Sequence, residues 1–143
     1  MRETFRNLIV KEKLGLISKA QLVSFADEYI QAHDAIPDWT IKISLNESLL
    51  DEPLLDLRAY PINELDCKAV AEELLNCMKS QSIDLKKIGS VAQNLCLSLE
   101  TDTELFNCFV WISDEVDLVA NGYSSSENIG SKIEKSLRWV LDL

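Results

Sequence analysis

The chain has 143 residues, 47% of them hydrophobic and 27% charged, the balance of a globular protein of single-domain size and not of a disordered or fibrous one. Twenty-four Asp and Glu against 14 Lys and Arg give a net charge of -10, which disfavours direct nucleic-acid binding because a phosphate backbone is repelled by most of such a surface. One histidine, His33, and four glycines remove most phosphate loops, histidine metal sites and histidine-based triads.

Apolar residues recur at helical spacing almost throughout, and Gly and Pro fall between the periodic stretches. The expected fold is therefore all-α: one helical domain over 1–143, an irregular bundle of six to eight helices with no linker. The first helix is expected from Thr4 to Lys13, ending at Gly15. Charges close on either side of its only apolar cluster argue against a signal peptide or membrane anchor, so a cytoplasmic setting is expected. Ser18 with Gln21 predicts a capping box and a second helix to about His33, with Leu22, Phe25, Ala26, Tyr29 and Ile30 on its buried stripe.

Trp39, Ile41, Ile43 and Leu45 alternate as a strand would, while Pro37 is well placed to open a helix. A short helix is the expected outcome, because a lone strand would leave its backbone polar groups unpaired. Pro53 and Pro61 bracket a further expected short helix, Leu54 to Tyr60. The next runs from Asn63 to about Lys79, with Leu65, Ala69, Val70, Leu74, Cys77 and Met78 on its apolar face. Asp84 caps another, carrying Ile88, Val91, Ala92 and Leu95. Thr101 with Glu104 predicts a capping box for the most apolar helix, expected to lie centrally and to stop at Asn121-Gly122. Ser124 with Glu127 gives the last capping signal, ahead of the seam Ile129, Ile133, Leu137, Val140 and Leu141.

The four cysteines, Cys67, Cys77, Cys96 and Cys108, form no CxxC pair and lie in apolar helical patterns. Reduced, buried thiols without a metal are expected. The three tryptophans are expected to be buried as well, although Trp39, inside an acidic stretch, would also suit an exposed anchor.

Charge is segregated. Residues 26–66 hold ten acidic side chains against Lys42 and Arg58, and residues 88–130 hold seven with no Lys or Arg. Solubility and favourable placement at helix starts account for part of this. The functional alternative is a face that steers a basic partner, which raises association rate and selects that partner. Asp114, Glu115 and Asp117 with Glu104 could be drawn as an oxygen-ligand metal site, yet no histidine or second carboxylate pair completes it. No paired motif singles out a catalytic acid or base, so no enzyme, cofactor or metal is expected.

Gly15-Leu16-Ile17-Ser18, Phe25-Ala26-Asp27, Ile30 and Pro37-Asp38-Trp39 ahead of Leu45 resemble the opening of small bacterial immunity proteins from polymorphic-toxin and contact-dependent inhibition systems. The resemblance implies a helical cytoplasmic protein that binds a cognate toxin domain, often a nuclease, and blocks its active site or substrate access. Clustered carboxylates suit the basic groove of a nuclease. The expected partner surface comprises Asp27, Asp34, Asp38, Asp51, Glu52, Asp56, Asp114, Glu115 and Asp117, with Trp39 as its apolar centre. Two other classes remain open: an acidic secretion chaperone or adaptor, which needs an exposed apolar groove, and a carboxylate-metal hydrolase, which needs convergent carboxylates.

Overall fold

The structure, a computed structural model, describes residues 1–123 and 127–143. Among them are seven helices and no strand. The chain divides into two compact units, Met1–Pro61 and Ile62–Leu143, with the division at a proline and not in a flexible stretch.

The first unit contains α1 (Arg2–Lys13), α2 (Lys19–Ala32) and α3 (Asp38–Ser44). α1 ends as its sequence dictates: the Leu16 amide donates to the Lys11 carbonyl at 2.8 Å and the Gly15 amide to that of Glu12 at 3.0 Å. The Ser18–Gln21 capping box forms in both directions, at 3.1 and 2.8 Å. On α2 only Leu22 and Ala26 are fully buried, and Phe25, expected on the core stripe, is exposed. The ambiguous segment is helical. At helical spacing Trp39 and Ile43 point inward together, whereas Ile41 and Leu45, which an alternating strand would have buried with them, face solvent.

The core of this unit gathers Phe5 and Ile9 of α1, Leu22 and Ala26 of α2, Trp39 and Ile43 of α3, and Leu55. Phe5 meets Trp39 edge-on with ring centroids 5.1 Å apart, and Tyr29 at 5.8 Å. The short helix expected over 54–60 does not form. Leu54 has φ +67, outside the right-handed helical region, and the backbone here makes isolated turns, such as the Tyr60 amide to the Asp56 carbonyl at 2.9 Å, and bonds to side chains. Buried Arg6 donates to the carbonyls of Leu54 (2.5 Å), Tyr60 (2.9 Å) and Pro61 (3.0 Å), and buried Asp56 accepts from the amides of Asp51 and Arg58, both at 3.1 Å. Two ionic side chains thus pin a segment whose prolines disfavour a helix.

The second unit contains α4 (Glu64–Lys79), α5 (Leu85–Cys96), α6 (Glu104–Ala120) and α7 (Ile129–Leu141). α5 packs on α6, α4 on α7, and α6 on α7. Asn63 and Asp66 cap α4 reciprocally, while Leu65, expected on its inner face, is exposed. Asp84 caps α5, its carboxylate accepting from the Lys87 amide at 2.8 Å. The α6 cap is Thr103 and not Thr101: its hydroxyl accepts from the Phe106 amide at 3.1 Å, because Asp102 takes φ +66 and the helix can begin only beyond it. Gly122, at φ +75, closes α6, with the Tyr123 amide donating to the Leu118 carbonyl at 2.9 Å. Ser124 lies outside the described residues, and α7 begins after Asn128 at φ +62.

At the α5–α6 crossing a Cβ on Gly89 would sit 2.7 Å from Val116 Cγ1, so the glycine sets how closely the two helices approach. α6 is less central than its composition suggests. It buries Phe109, Ile112 and Val116, and leaves the opposite side uncovered.

Candidate partner-binding surfaces

In the first unit the six expected carboxylates separate into two kinds. Asp56 is buried in the loop described above. Glu52 accepts from Lys42 Nζ at 2.9 Å and lies 3.8 Å from Arg2 Nη1, and Asp27 accepts from the Ser44 hydroxyl. These three hold the unit together. Asp34, Asp38 and Asp51 are exposed. The internal pairing leaves an electrostatic signature: Glu52 raises the Lys42 pKa above its ordinary 10.5, through their hydrogen bond first and its charge second. The Asp51 amide, aided by the amide and guanidinium of Arg58, holds the Asp56 carboxyl below its usual range despite partial desolvation.

Trp39, expected as the apolar centre of the partner surface, is 3% exposed and belongs to the core. Arg2 lies over its ring, with Cζ 5.6 Å from the centroid. A partner surface needs another anchor.

In the second unit Asp114 and Asp117 are exposed on α6 and Glu115 is half-buried. Among the described residues no group of three His, Cys, Asp or Glu side chains is placed to hold a metal, so Asp114, Glu115, Asp117 and Glu104 do not assemble into the drawn site. The same helix corrects the burial expected of the tryptophans: Trp111 is 36% exposed and Trp139, on α7, 38%. They line one open groove of about 560 Å³ between the outer sides of α6 and α7. Cys108 shares the lining, its thiol donating towards the Ser136 carbonyl at 3.8 Å, with Glu104 of α6 and Lys135 of α7. The volume falls within the range of ligand pockets, and the lining is predominantly apolar.

All four cysteines are free thiols. Cys67 is buried, but Cys77, Cys96 and Cys108 are only half-buried, against the expectation for all four. Burial pushes the Cys108 thiol up to about 11, with Cys96 adding to the shift, so at neutral pH the groove holds an uncharged thiol and not a nucleophilic thiolate.

Trp111 and Trp139 depart from the burial expected of large aromatics because the polar residues on their helical faces outweigh it. The signal was present: Asn107, Asp114 and Glu115 stand one turn from Trp111, and Lys135, Ser136 and Asp142 one turn from Trp139. The exposed residues Glu104, Asn107, Trp111, Asp114 and Leu118 follow one another at steps of three and four along α6 as one mixed aromatic, polar and acidic stripe. No helix among the described residues is long and apolar enough to cross a membrane. Compared with models of protein families, with characterised proteins and with solved structures, the chain matches none.

Proposed function

We propose that this protein is an immunity-type inhibitor that binds a basic toxin domain, a nuclease in the leading case, and covers its active site or substrate groove. The observation that carries the reading is the disposition of negative charge. Asp34, Asp38 and Asp51 in the first unit, and Asp114 and Asp117 in the second, face solvent on an all-helical scaffold whose net charge is -10. Such carboxylates steer a cationic partner and compete with phosphate for its groove. The immunity-like opening of the sequence supports the same reading.

The test is co-expression with the product of the adjacent gene. The wild-type chain is expected to protect the cell and to bind that product one-to-one, with association slowing as salt rises. Reversal of Asp34, Asp38, Asp51, Asp114 and Asp117 to lysine removes protection. An adjacent gene with no toxic product, or protection unchanged by the reversals, overturns the proposal.

One observation favours a second reading, the acidic chaperone or adaptor: the apolar groove between Trp111 and Trp139 is the feature such a protein requires. The two readings separate on the state of the partner. An inhibitor binds a folded domain and abolishes its activity, whereas a chaperone holds an extended segment and leaves the folded domain active.

A further inference from the structure

The groove between α6 and α7 carries two indoles that each leave more than a third of their surface in water, in a chain whose remaining tryptophan is almost completely covered. Large aromatic side chains presented in this way dominate binding where they are desolvated by a partner. The charge around them narrows what that partner can be. No Lys or Arg occurs between residues 88 and 130, while Glu104, Asp114 and Leu118 share the exposed stripe of Trp111. Among the described residues Lys135 is the single cation in the groove lining.

The first unit displays the completed form of the same grouping. There the Arg2 guanidinium lies over Trp39 at 5.6 Å and within 3.8 Å of the Glu52 carboxylate, so one cation satisfies an aromatic face and an acid together. α6 supplies an indole with a carboxylate one turn away and has no cation of its own.

We infer that the α6–α7 groove docks a segment of a partner protein that presents an arginine beside an apolar side chain, the guanidinium over Trp111 and towards Asp114, the apolar group between Trp111 and Trp139. This inference rests on the proposed function in one respect, that the partner is a basic protein, and it moves the anchor of that interface from Trp39 to the second unit. The neutral Cys108 thiol adds no charge to the groove lining, which suits the apolar group.

The experiment uses the full chain and three synthetic peptides: alternating arginine and leucine, alternating citrulline and leucine, and alternating arginine and serine. Binding is followed by tryptophan fluorescence, and by peptide anisotropy where a variant lacks a tryptophan. The arginine–leucine peptide is expected to bind wild type and to lose at least tenfold in affinity on Trp111→Ala or Trp139→Ala, and about threefold to tenfold on Asp114→Asn, each variant keeping a cooperative unfolding transition. The citrulline and serine peptides are each expected to bind at least tenfold more weakly, the first for want of charge and the second for want of the apolar group. No binding by wild type, equal binding of the citrulline peptide, or unchanged affinity in both tryptophan variants overturns the inference. So does a concentration-dependent dimer that Trp111→Ala abolishes, since the groove would then belong to a second copy of the chain. The two proposals fail separately. Protection that survives in the Trp111→Ala/Trp139→Ala double variant removes the groove and leaves the inhibitor standing; peptide binding without any protection removes the inhibitor and leaves the groove.

Discussion

Trp39 in the Met1–Pro61 unit lies under Arg2 and against Phe5, whereas Trp111 and Trp139 in the Ile62–Leu143 unit stand at the open walls of a groove. The side chain is identical, so the difference lies in its neighbours. Trp39 has Ile43 one helical turn ahead, and both turn into the core. Trp111 is flanked at one turn by Asn107, Asp114 and Glu115, and Trp139 by Lys135, Ser136 and Asp142, which commit those faces to water. A tryptophan therefore follows the polarity of its helical face, and the same residue type is structural in one unit and available for recognition in the other.

The sharpest way to break that comparison is to truncate each indole. Trp39→Ala removes a core aromatic and its edge-on contact with Phe5, and is expected to cost about 3–5 kcal/mol in urea unfolding. Trp111→Ala and Trp139→Ala are expected to cost less, about 1–2 kcal/mol, because more than a third of each residue is already in water. Equal losses at Trp39 and Trp111 would remove the distinction.

A second test concerns the loop that encloses the core of the first unit. Arg6→Leu deletes the donors to the Leu54, Tyr60 and Pro61 carbonyls and is expected to cost about 2–3 kcal/mol. Hydrogen exchange should accelerate first in residues 45–61. Arg6→Lys is expected to recover little, since a single ammonium cannot reproduce a planar fork that reaches three acceptors. Full recovery by lysine would mean that charge alone, without that geometry, holds the loop.

These two cases also mark how far the sequence was legible. Helices announced by caps and long apolar stripes, such as Ser18–Gln21 and Asp84, appear where the pattern puts them, and the short helix after Pro37 follows from the backbone's need for partners. The 54–60 segment was not legible, because its conformation depends on Arg6, some fifty residues earlier, and local propensity carries no record of so distant a donor. Of the candidate surface, the sign of the charge could be read, but not which acids remain outside. Asp56 and Glu52 look like Asp34 and Asp38 in sequence, but the amides of Asp51 and Arg58 hold Asp56 inside its own loop, and Lys42 and Arg2 hold Glu52. The aromatic groove was legible in principle from the residues one turn either side of each indole.

The α5–α6 crossing offers a smaller effect confined to the second unit. Gly89→Ala brings a Cβ to 2.7 Å from Val116 Cγ1, and the resulting shift of α5 against α6 is expected to cost about 1–2 kcal/mol. Adding Val116→Ala supplies room for the methyl, so the double variant should lose less than the two single changes together, a coupling measurable by urea unfolding. Strict additivity would show that the close approach is not what limits this crossing.

The smallest effects distinguish the units by pH. In the first, Asp56 is held below its ordinary value, chiefly by the Asp51 amide and then by Arg58 against the opposing effect of burial. Its contribution is complete above pH 3.8 and is lost as pH falls through the lowered native value, because the unfolded chain takes up the proton first. In the second unit the thiols act on the alkaline side. Burial, reinforced by the charges of Asp66 and Glu64, pushes Cys67 from 9.0 to about 12. Below 9.0 this thiol is neutral whether the chain is folded or not; above it the unfolded chain ionises while the native one resists, so stability declines until about pH 12. Lys42, raised above 10.5 by Glu52, adds a loss in the first unit that begins only at still higher pH. Unfolding midpoints between pH 2.5 and 6, and between pH 8 and 10.5, resolve the two limbs. Asp56→Asn is expected to flatten the acid limb alone and Cys67→Ala the alkaline limb alone, whatever either change costs at neutral pH. The slope, and not the midpoint itself, is the quantity that tests the assignment, because lost packing at Cys67 shifts the whole curve without tilting it. Curves as steep above pH 8 as wild type in both Cys67→Ala and Cys108→Ala, the latter thiol also raised by burial to about 11, would assign the alkaline loss elsewhere and remove the electrostatic difference between the two units on that side.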